Sequence, residues 1–442
     1  MSMIKPRRPA PSDRARLTAA QGIRALEDGS LTSQAWVEAC LERIAARNDT
    51  VRAWVHVAAE AALARARAVD RDGRRALFDG VPLGIKDTID TRDMPTELGD
   101  PEIFPGRQPE QDAPVVAMAR RLGFALLGKN TVSRHAIMLP GPCRNPHDPA
   151  RSPAASSAGS GAAVADFMTP ISIGTQTAGS ILRPASFNGA VGFKPTLDAI
   201  PYVGIRTYSR PLDVIGPLTR SVDDAVLFMR GFTGDPRFDI QAAPPGQLRI
   251  GIWRPADLQR AEPFVQEAFE RHVSRLSAAG FTVVTLPMPG SFEQIGEQQD
   301  VIMAYDLARE YAAIRRDHAT KCDQALLDYL ALGDTYSAAD YAAAMDAADA
   351  CRRQFADAAR NVDLVLMPAT LGEATPAADT GSSVFIRIWS LLHNPALSLP
   401  VDRGPNGLPV AVQLVGFRGE DARFLQAARR VEAVLENRAG EA

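Results

Sequence analysis

From about residue 80 the chain alternates short β-type runs with helical stretches, and no other feature constrains its fold as much. The runs VPLGIKDTI, FALLGK, PISIGT and AVGFKPT are broken by Gly and Pro and separated by the helical segments VVAMARRLG and SAGSGAAVADFM. Apolar strands interleaved with amphipathic helices predict an α/β layered core. Residues 246–288 repeat the theme as strand LRIGIW, helix EPFVQEAFERHVSRLSAAG and strand FTVVTLPM. From about 291 to 360 the chain is Ala-rich, charged and helical, without convincing strands, and is expected to be a helical excursion packed on the core and bordering the pocket. Strands return at DLVLMPA, ALSLPV and PVAVQLVG, and a helix over 420–436 closes the pattern. Ahead of all this, helical periodicity covers 14–28, 33–48 and 57–70, with Thr32 and Ser33 placed to cap the second segment. Because strand signals flank the 291–360 excursion on both sides, the expectation is one interleaved domain over 1–442. Its parts are N-terminal helices (1–75), a core (76–235), the excursion (291–360) and a return to the core (361–442).

The charge balance carries little functional pull. A formal net charge of −3 gives no general attraction to nucleic acid or to an anionic membrane surface. No apolar stretch is long enough to span a bilayer. The leader MSMIKPRRPAPSDR is basic but leads into polar helix sequence, so it does not read as a signal peptide. Cys40, Cys143, Cys322 and Cys351 are scattered, with no C-x-x-C pair and no metal-like spacing. The expectation is a cytoplasmic protein with no metal and no cofactor, acting on a small molecule. A homodimer is compatible with the sequence.

Lysine is scarce: it occurs only at 5, 86, 129, 194 and 321, so 44 of the 49 basic residues are arginine. Arginine keeps its proton near neutral pH, whereas a desolvated lysine can give it up. Lys86 in GVPLGIKDTIDT, with Val81, Leu83 and Ile85 nearby, is placed for that. Two loops of small residues supply hydroxyls beside backbone N–H groups: SPAASSAGSGAAVA with Ser156, and GTQTAGSILRPA with Ser180. A serine nucleophile needs a base. The hydrolase elbow G-x-S-x-G is absent and no histidine sits in a suggestive motif, although His135 and His147 lie nearest the loops. A buried lysine, its pKa lowered by desolvation, is the alternative base, and a second serine hydroxyl could relay the proton.

These residues resemble the amidase signature family, whose members use a Ser–cisSer–Lys triad. The family pattern G-G-S-S-G-G-S falls on Ala154, Ala155, Ser156, Ser157, Ala158, Gly159 and Ser160. The nucleophile loop G-T-D-x-G-G-S falls on Gly174 to Ser180, and G-x-P-x-x-x-K-D is met by Gly80, Pro82, Lys86 and Asp87. GFKPT, NPALSLP and GLPVAVQLVG extend the similarity across most of the chain. The resemblance implies a layered fold with a mixed central β-sheet flanked by helices. It implies Ser180 as nucleophile, Ser156 as bridging serine and Lys86 as base, with the backbone N–H groups of Thr177, Ala178, Gly179 and Ser180 as oxyanion hole. Three positions depart from the pattern. Ala155 replaces the glycine before the bridging serine, Ala178 replaces a loop glycine and would be strained at positive φ, and Gln176 stands where many members have aspartate.

Within the family, DTIDTRDMPTELG, GRQPEQDAPVV and SILRPA look like the malonamidase-like group, in which an arginine three positions after the nucleophile grips a carboxylate. The matching residue is Arg183, which implies a small acid-bearing amide as substrate; the alternative role is a salt bridge to a protein carboxylate. There are three rival readings: a glutaminase-type subunit that supplies ammonia to a partner, an aryl or lipid amidase, and a catalytically silent subunit. Ser157 and Thr177 are expected to hydrogen-bond locally, Lys129 and Lys194 to pair structurally, and Tyr202 and Tyr208 are candidates for the pocket wall.

Overall fold

The computed structural model describes residues 11–137, 139–241 and 247–435. Most of the basic leader and residue 436 of the closing helix lie outside the described residues.

The strand runs form one mixed sheet. Its strands are β1 (Trp54–Val57), β2 (Pro82–Lys86), β3 (Ala125–Asn130), β4 (Ile171–Gln176), β5 (Val191–Lys194), β6 (Val214–Thr219), β7 (Arg249–Ile252), β8 (Thr282–Thr285), β9 (Leu364–Pro368), β10 (Ala396–Arg403) and β11 (Pro409–Val415). The spatial order is β1-β3-β2-β4-β6-β5-β10-β11-β9-β7-β8, so strands from before and after the helical excursion share one sheet. β2 pairs in parallel with both β3 and β4, as β7 does with β8 and β9; β4, β6, β5, β10, β11 and β9 are joined antiparallel. The chain is thus a mixed α/β fold with helices flanking the sheet. Every residue of β2 is buried, because both of its faces are covered. That fits parallel strands, which read as continuous apolar runs.

Two strands depart from the sequence expectation. β1 occupies the approach to the third predicted helix, which begins at Ala59 instead. β6 carries Gly216 and Pro217 in its centre, and Pro217 sits opposite Ile173 of β4. A proline that cannot donate to the ladder conceals a strand from pattern reading. Thr32, not Ser33, caps helix Ser33–Val51: its side chain accepts from the Ala35 N–H. Ser33 instead donates its hydroxyl to the Gly80 carbonyl at 2.9 Å, tying that helix to the approach to β2.

Within 291–360 the chain forms helices Ser291–Glu310, Ala312–His318, Gln324–Thr335 and Ala338–Ala359. Aromatic packing ties the first and last of these helices to the residues around Trp253 and Trp389. Trp389 meets Phe355 at 5.3 Å and Trp253 at 5.5 Å, and Trp253 meets Phe292 edge-on at 5.9 Å. Such edge-to-face contacts add about 0.5–1.5 kcal/mol each beyond area burial. Among the described residues, no helix is long and apolar enough to cross a membrane.

Candidate active site

Lys86 ends β2 deep in the sheet and is fully buried. Its Nζ donates to Ser156 Oγ at 2.7 Å and to Thr175 Oγ1 at 2.6 Å. Burial pushes its pKa down from 10.5 to about 7, against an opposing pull from the Asp213 charge. The amine therefore lies where either protonation state is accessible near neutrality.

Ser156 is set by the small-residue loop that leads into helix Ala158–Ala165. A Cβ on Gly159 would lie 2.4 Å from the Ala53 carbonyl oxygen and 2.5 Å from the Thr131 nitrogen, so only glycine allows this close packing on the backbone beside β3. The Ala155–Ser156 peptide bond is cis, without a glycine, and Ala154 takes φ 66°. Ser157 donates to the Thr175 carbonyl at 3.1 Å, an oxygen that Lys86 Nζ also meets at 3.4 Å.

Ser180 lies in the turn between β4 and helix Leu182–Asn188 and is half-buried. Gln176 closes that turn: its Oε1 accepts from the N–H groups of Ile181 at 3.0 Å and Leu182 at 3.1 Å. Its Nε2 donates to Ser390 Oγ at 3.1 Å. Ala178 is not among the described residues with positive φ, so the strain considered for it does not arise. Thr177 donates its hydroxyl to Asp213 Oδ1 at 2.6 Å, and Asp213 Oδ2 accepts from the N–H groups of Tyr208 and Ser209. Burial pushes Asp213 up to about 7.

Thr177, Ala178, Gly179, Ser180 and Arg183 line one cavity of about 370 Å³. The rest of the wall is mostly apolar, with Asp300, Ser383 and Arg387 as polar members, and its apolar part comes from two places. Ala136, Ile137, Leu139 and Tyr208 belong to the core, while Met303, Leu307 and Tyr329 belong to the helical excursion. Arg183 is buried and spans the two serine loops' surroundings, donating to the Gly381 carbonyl at 2.6 Å and the Ala155 carbonyl at 3.2 Å. Its Nε has no partner, and it forms no salt bridge with a carboxylate of the described residues. Burial lowers its pKa to about 10.

This geometry can be set against known proteins. The family model described as Amidase matches residues 35–425. The chain belongs to the amidase family. A glutamyl-tRNA(Gln) amidotransferase subunit from Anaeromyxobacter sp. (strain K) is 32% identical, over 92% of this chain and 94% of its own length. A crystal structure of an amidase superposes with TM-score 0.86 at 31% identity, covering 95% of this chain and all of its own. The peptide amidase of Stenotrophomonas maltophilia superposes with TM-score 0.81 at 27% identity, over 95% and 97% of the two chains. This amidase-family chain is accordingly a hydrolase of amide C–N bonds.

The structure brings Lys86 and Ser156 into contact and gathers Ser180, Arg183 and Thr177–Gly179 on one cavity of the amidase chain. It separates the two candidate tyrosines: Tyr208 lines the cavity, whereas Tyr202 is buried and donates to the Arg206 carbonyl. Thr177, expected to bond within its own loop, reaches Asp213 instead. The salt-bridge role considered for Arg183 is replaced by bonds to two carbonyls. Lys129 pairs with Asp87 at 3.4 Å, and Lys194 donates to the Pro195 carbonyl. His135 sits between Asp100 at 2.6 Å and Asp323 at 2.9 Å, and His147 Nε2 lies 2.8 Å from the Asn188 carbonyl oxygen. Sequence reasoning missed Thr175, Asp213, Asp300 and Arg387. Only Thr175 carried a signal, as the residue before Gln176 in the nucleophile loop.

Proposed function

We propose that this amidase cleaves its substrate through an acyl-enzyme on Ser180, with Ser156 as proton relay and Lys86 as base. The contact between Lys86 Nζ and Ser156 Oγ, in a site dry enough to lower the lysine's pKa, is the observation that carries this reading. With Lys86 neutral, Ser180 Oγ attacks the amide carbonyl carbon, its proton passes to Ser156 Oγ, and the Ser156 proton passes to Lys86 Nζ. The C–N bond then breaks, the relay returns a proton to the departing nitrogen, and ammonia or an amine leaves. Water attacks the Ser180 ester along the same relay, which releases the acid and restores the serine. The N–H groups of Thr177, Ala178, Gly179 and Ser180 are unused by other backbone acceptors among the described residues and supply an oxyanion hole. One such donor is worth roughly 2.7–4 kcal/mol of barrier. Intact-mass labelling by a small fluorophosphonate tests the scheme. One adduct is expected on the wild type and none on Ser180→Ala or Lys86→Ala; an unlabelled wild type would favour a silent subunit.

For the substrate, we infer a small amide bearing a carboxylate, of the malonamate or carboxylated-urea kind. Arg183 supports this: a buried guanidinium on the cavity, held by carbonyls with no carboxylate of the described residues in contact, leaves a positive charge for an acid group to meet. Arg183→Ala should cut kcat/KM for acidic amides by about 100-fold while neutral amides change less, a loss of the size that removal of a charged partner brings. Equal effects on both classes would sink the inference. A second reading follows from the relatives named as amidotransferase subunits: an ammonia-supplying glutaminase that works within an assembly. Glutamine hydrolysis that appears only when partner subunits are added would favour it over the acid-amide reading.

A further inference from the structure

The catalytic cavity has a larger neighbour. A second cavity of about 1020 Å³ lies beside it, walled by Trp253, Arg254, Met288 and Phe292 and by the segment from 381 to 388. Ser383 and Arg387 line both cavities. Ser383 sits directly against the nucleophile loop, since a Cβ on Gly179 would come within 3.0 Å of the Ser383 Cβ. The seam between the cavities therefore runs next to Ser180, and of its two shared residues only Arg387 has bulk.

Arg387 is held firmly from the helical excursion. Its Nε donates to Gln299 Oε1 at 3.0 Å, its Nη1 donates to Asp300 Oδ2 at 3.3 Å, and its Nη2 donates to Asp300 Oδ1. Gln299 is fully buried on helix Ser291–Glu310, while Asp300 is half-exposed and lines the catalytic cavity. A planar guanidinium gripped by a carboxylate on one side and an amide on the other keeps its orientation better than an aliphatic side chain would. This grip serves the partition between the cavities, and it gives the excursion a part in shaping the substrate's space.

We propose that Arg387, clamped by Gln299 and Asp300, is the specificity-determining partition of this amidase. It closes the catalytic cavity toward the larger one and sets the upper size of the group that Ser180 accepts. Removing it joins the two cavities, so that an acyl or amine extension too long for the smaller cavity runs into the larger. The inference rests on Ser180 being the nucleophile, and the test separates the two.

Labelling rates at Ser180 are measured by intact mass with two fluorophosphonates, one short-tailed and one carrying a long alkyl tail. The proteins are the full-length wild type, Arg387→Ala and Asp300→Ala. In Arg387→Ala the long-to-short rate ratio should rise by about tenfold or more, the low end of what methylene groups are worth in a pocket. Asp300→Ala keeps the guanidinium but loosens one side of its clamp, so its ratio should rise by less. A ratio that stays at the wild-type value in both variants, while the short probe still labels, would overturn the partition. If Arg387→Ala fails to fold, Asp300→Ala alone decides, and an unmoved ratio there has the same meaning. Failure of the short probe on the wild type would overturn the Ser180 reading, and the partition with it.

Discussion

Lys86 ends β2 and Lys129 is the penultimate residue of the neighbouring β3; both are fully buried, and they have opposite chemistry available to them. Lys129 Nζ lies 3.4 Å from Asp87 Oδ1 and donates to the Ile89 carbonyl at 2.8 Å and Thr96 Oγ1 at 2.5 Å. Among the described residues Lys86 touches no carboxylate, only the hydroxyls of Ser156 and Thr175 and, more distantly, the Thr175 carbonyl. Burial lowers both pKa values, to about 8 for Lys129 and about 7 for Lys86. The difference lies in the partner. A contacting carboxylate favours the ammonium and makes Lys129 one half of a structural pair. Hydroxyls can donate as well as accept, so Lys86 can hand a proton over and take it back without leaving an uncompensated charge.

Exchanging each lysine for methionine should break the comparison most sharply. Lys86→Met removes the proposed base, and hydrolysis should fall by about 10⁴ to 10⁶-fold, the loss seen when one member of a catalytic unit is deleted. Steady-state assay together with fluorophosphonate labelling checks this; retention of even a tenth of the rate would refute Lys86 as base. Lys129→Met should act on the fold instead. It leaves Asp87 buried without its cation, which costs about 3–5 kcal/mol. Urea unfolding should show that loss, and a smaller one for Lys86→Met. Pairing Lys129→Met with Asp87→Leu should recover part of the stability, because the orphaned charge goes with its partner.

The pH dependence sharpens the same contrast. In the proposed scheme the neutral amine of Lys86 is the working form, so kcat/KM should rise with pH through about 7 and then level off. Stability follows the same group. Its folded pKa, about 7, is below the ordinary 10.5, so between those values the unfolded chain holds a proton that the folded one has released. Stability contributed by Lys86 therefore rises with pH across that window. A rate profile flat from pH 6 to 9 would place the base elsewhere.

Much of the proposed site is readable because the groups assigned to it fall in short local motifs. Lys86 stands out as one of few lysines, and Ser156 and Ser180 sit in loops whose small residues are needed for backbone contact, as Gly159 shows. What escapes reading arrives from far along the chain. Asp213 precedes β6, the strand that Pro217 conceals, and nothing local marks it as a partner of Thr177. Asp300 and Tyr329 belong to two helices of the excursion, where no local motif marks the residues that reach the cavity. The excursion is recognisable as helical from composition, but which of its faces meets Ser180 depends on packing that periodicity does not encode.

Asp213 supplies the finest test, because it has two separable jobs. Its charge raises the pKa of Lys86, and its two oxygens hold Thr177 on one side and the backbone of Tyr208 and Ser209 on the other. Asp213→Asn can keep the second job. The amide oxygen would accept from the two backbone N–H groups, while the NH₂ donates to Thr177 Oγ1, whose hydroxyl rotates to suit. The first job is lost with the charge. The acid limb of the rate profile should then move to lower pH, with only a few-fold fall in the plateau. A limb that stays in place while the plateau collapses would mean that Asp213 matters as a brace for the nucleophile loop and not as a setting on Lys86. The lysine's pKa would then be set by burial alone, and the contrast with Lys129 would reduce to the presence or absence of a contacting carboxylate.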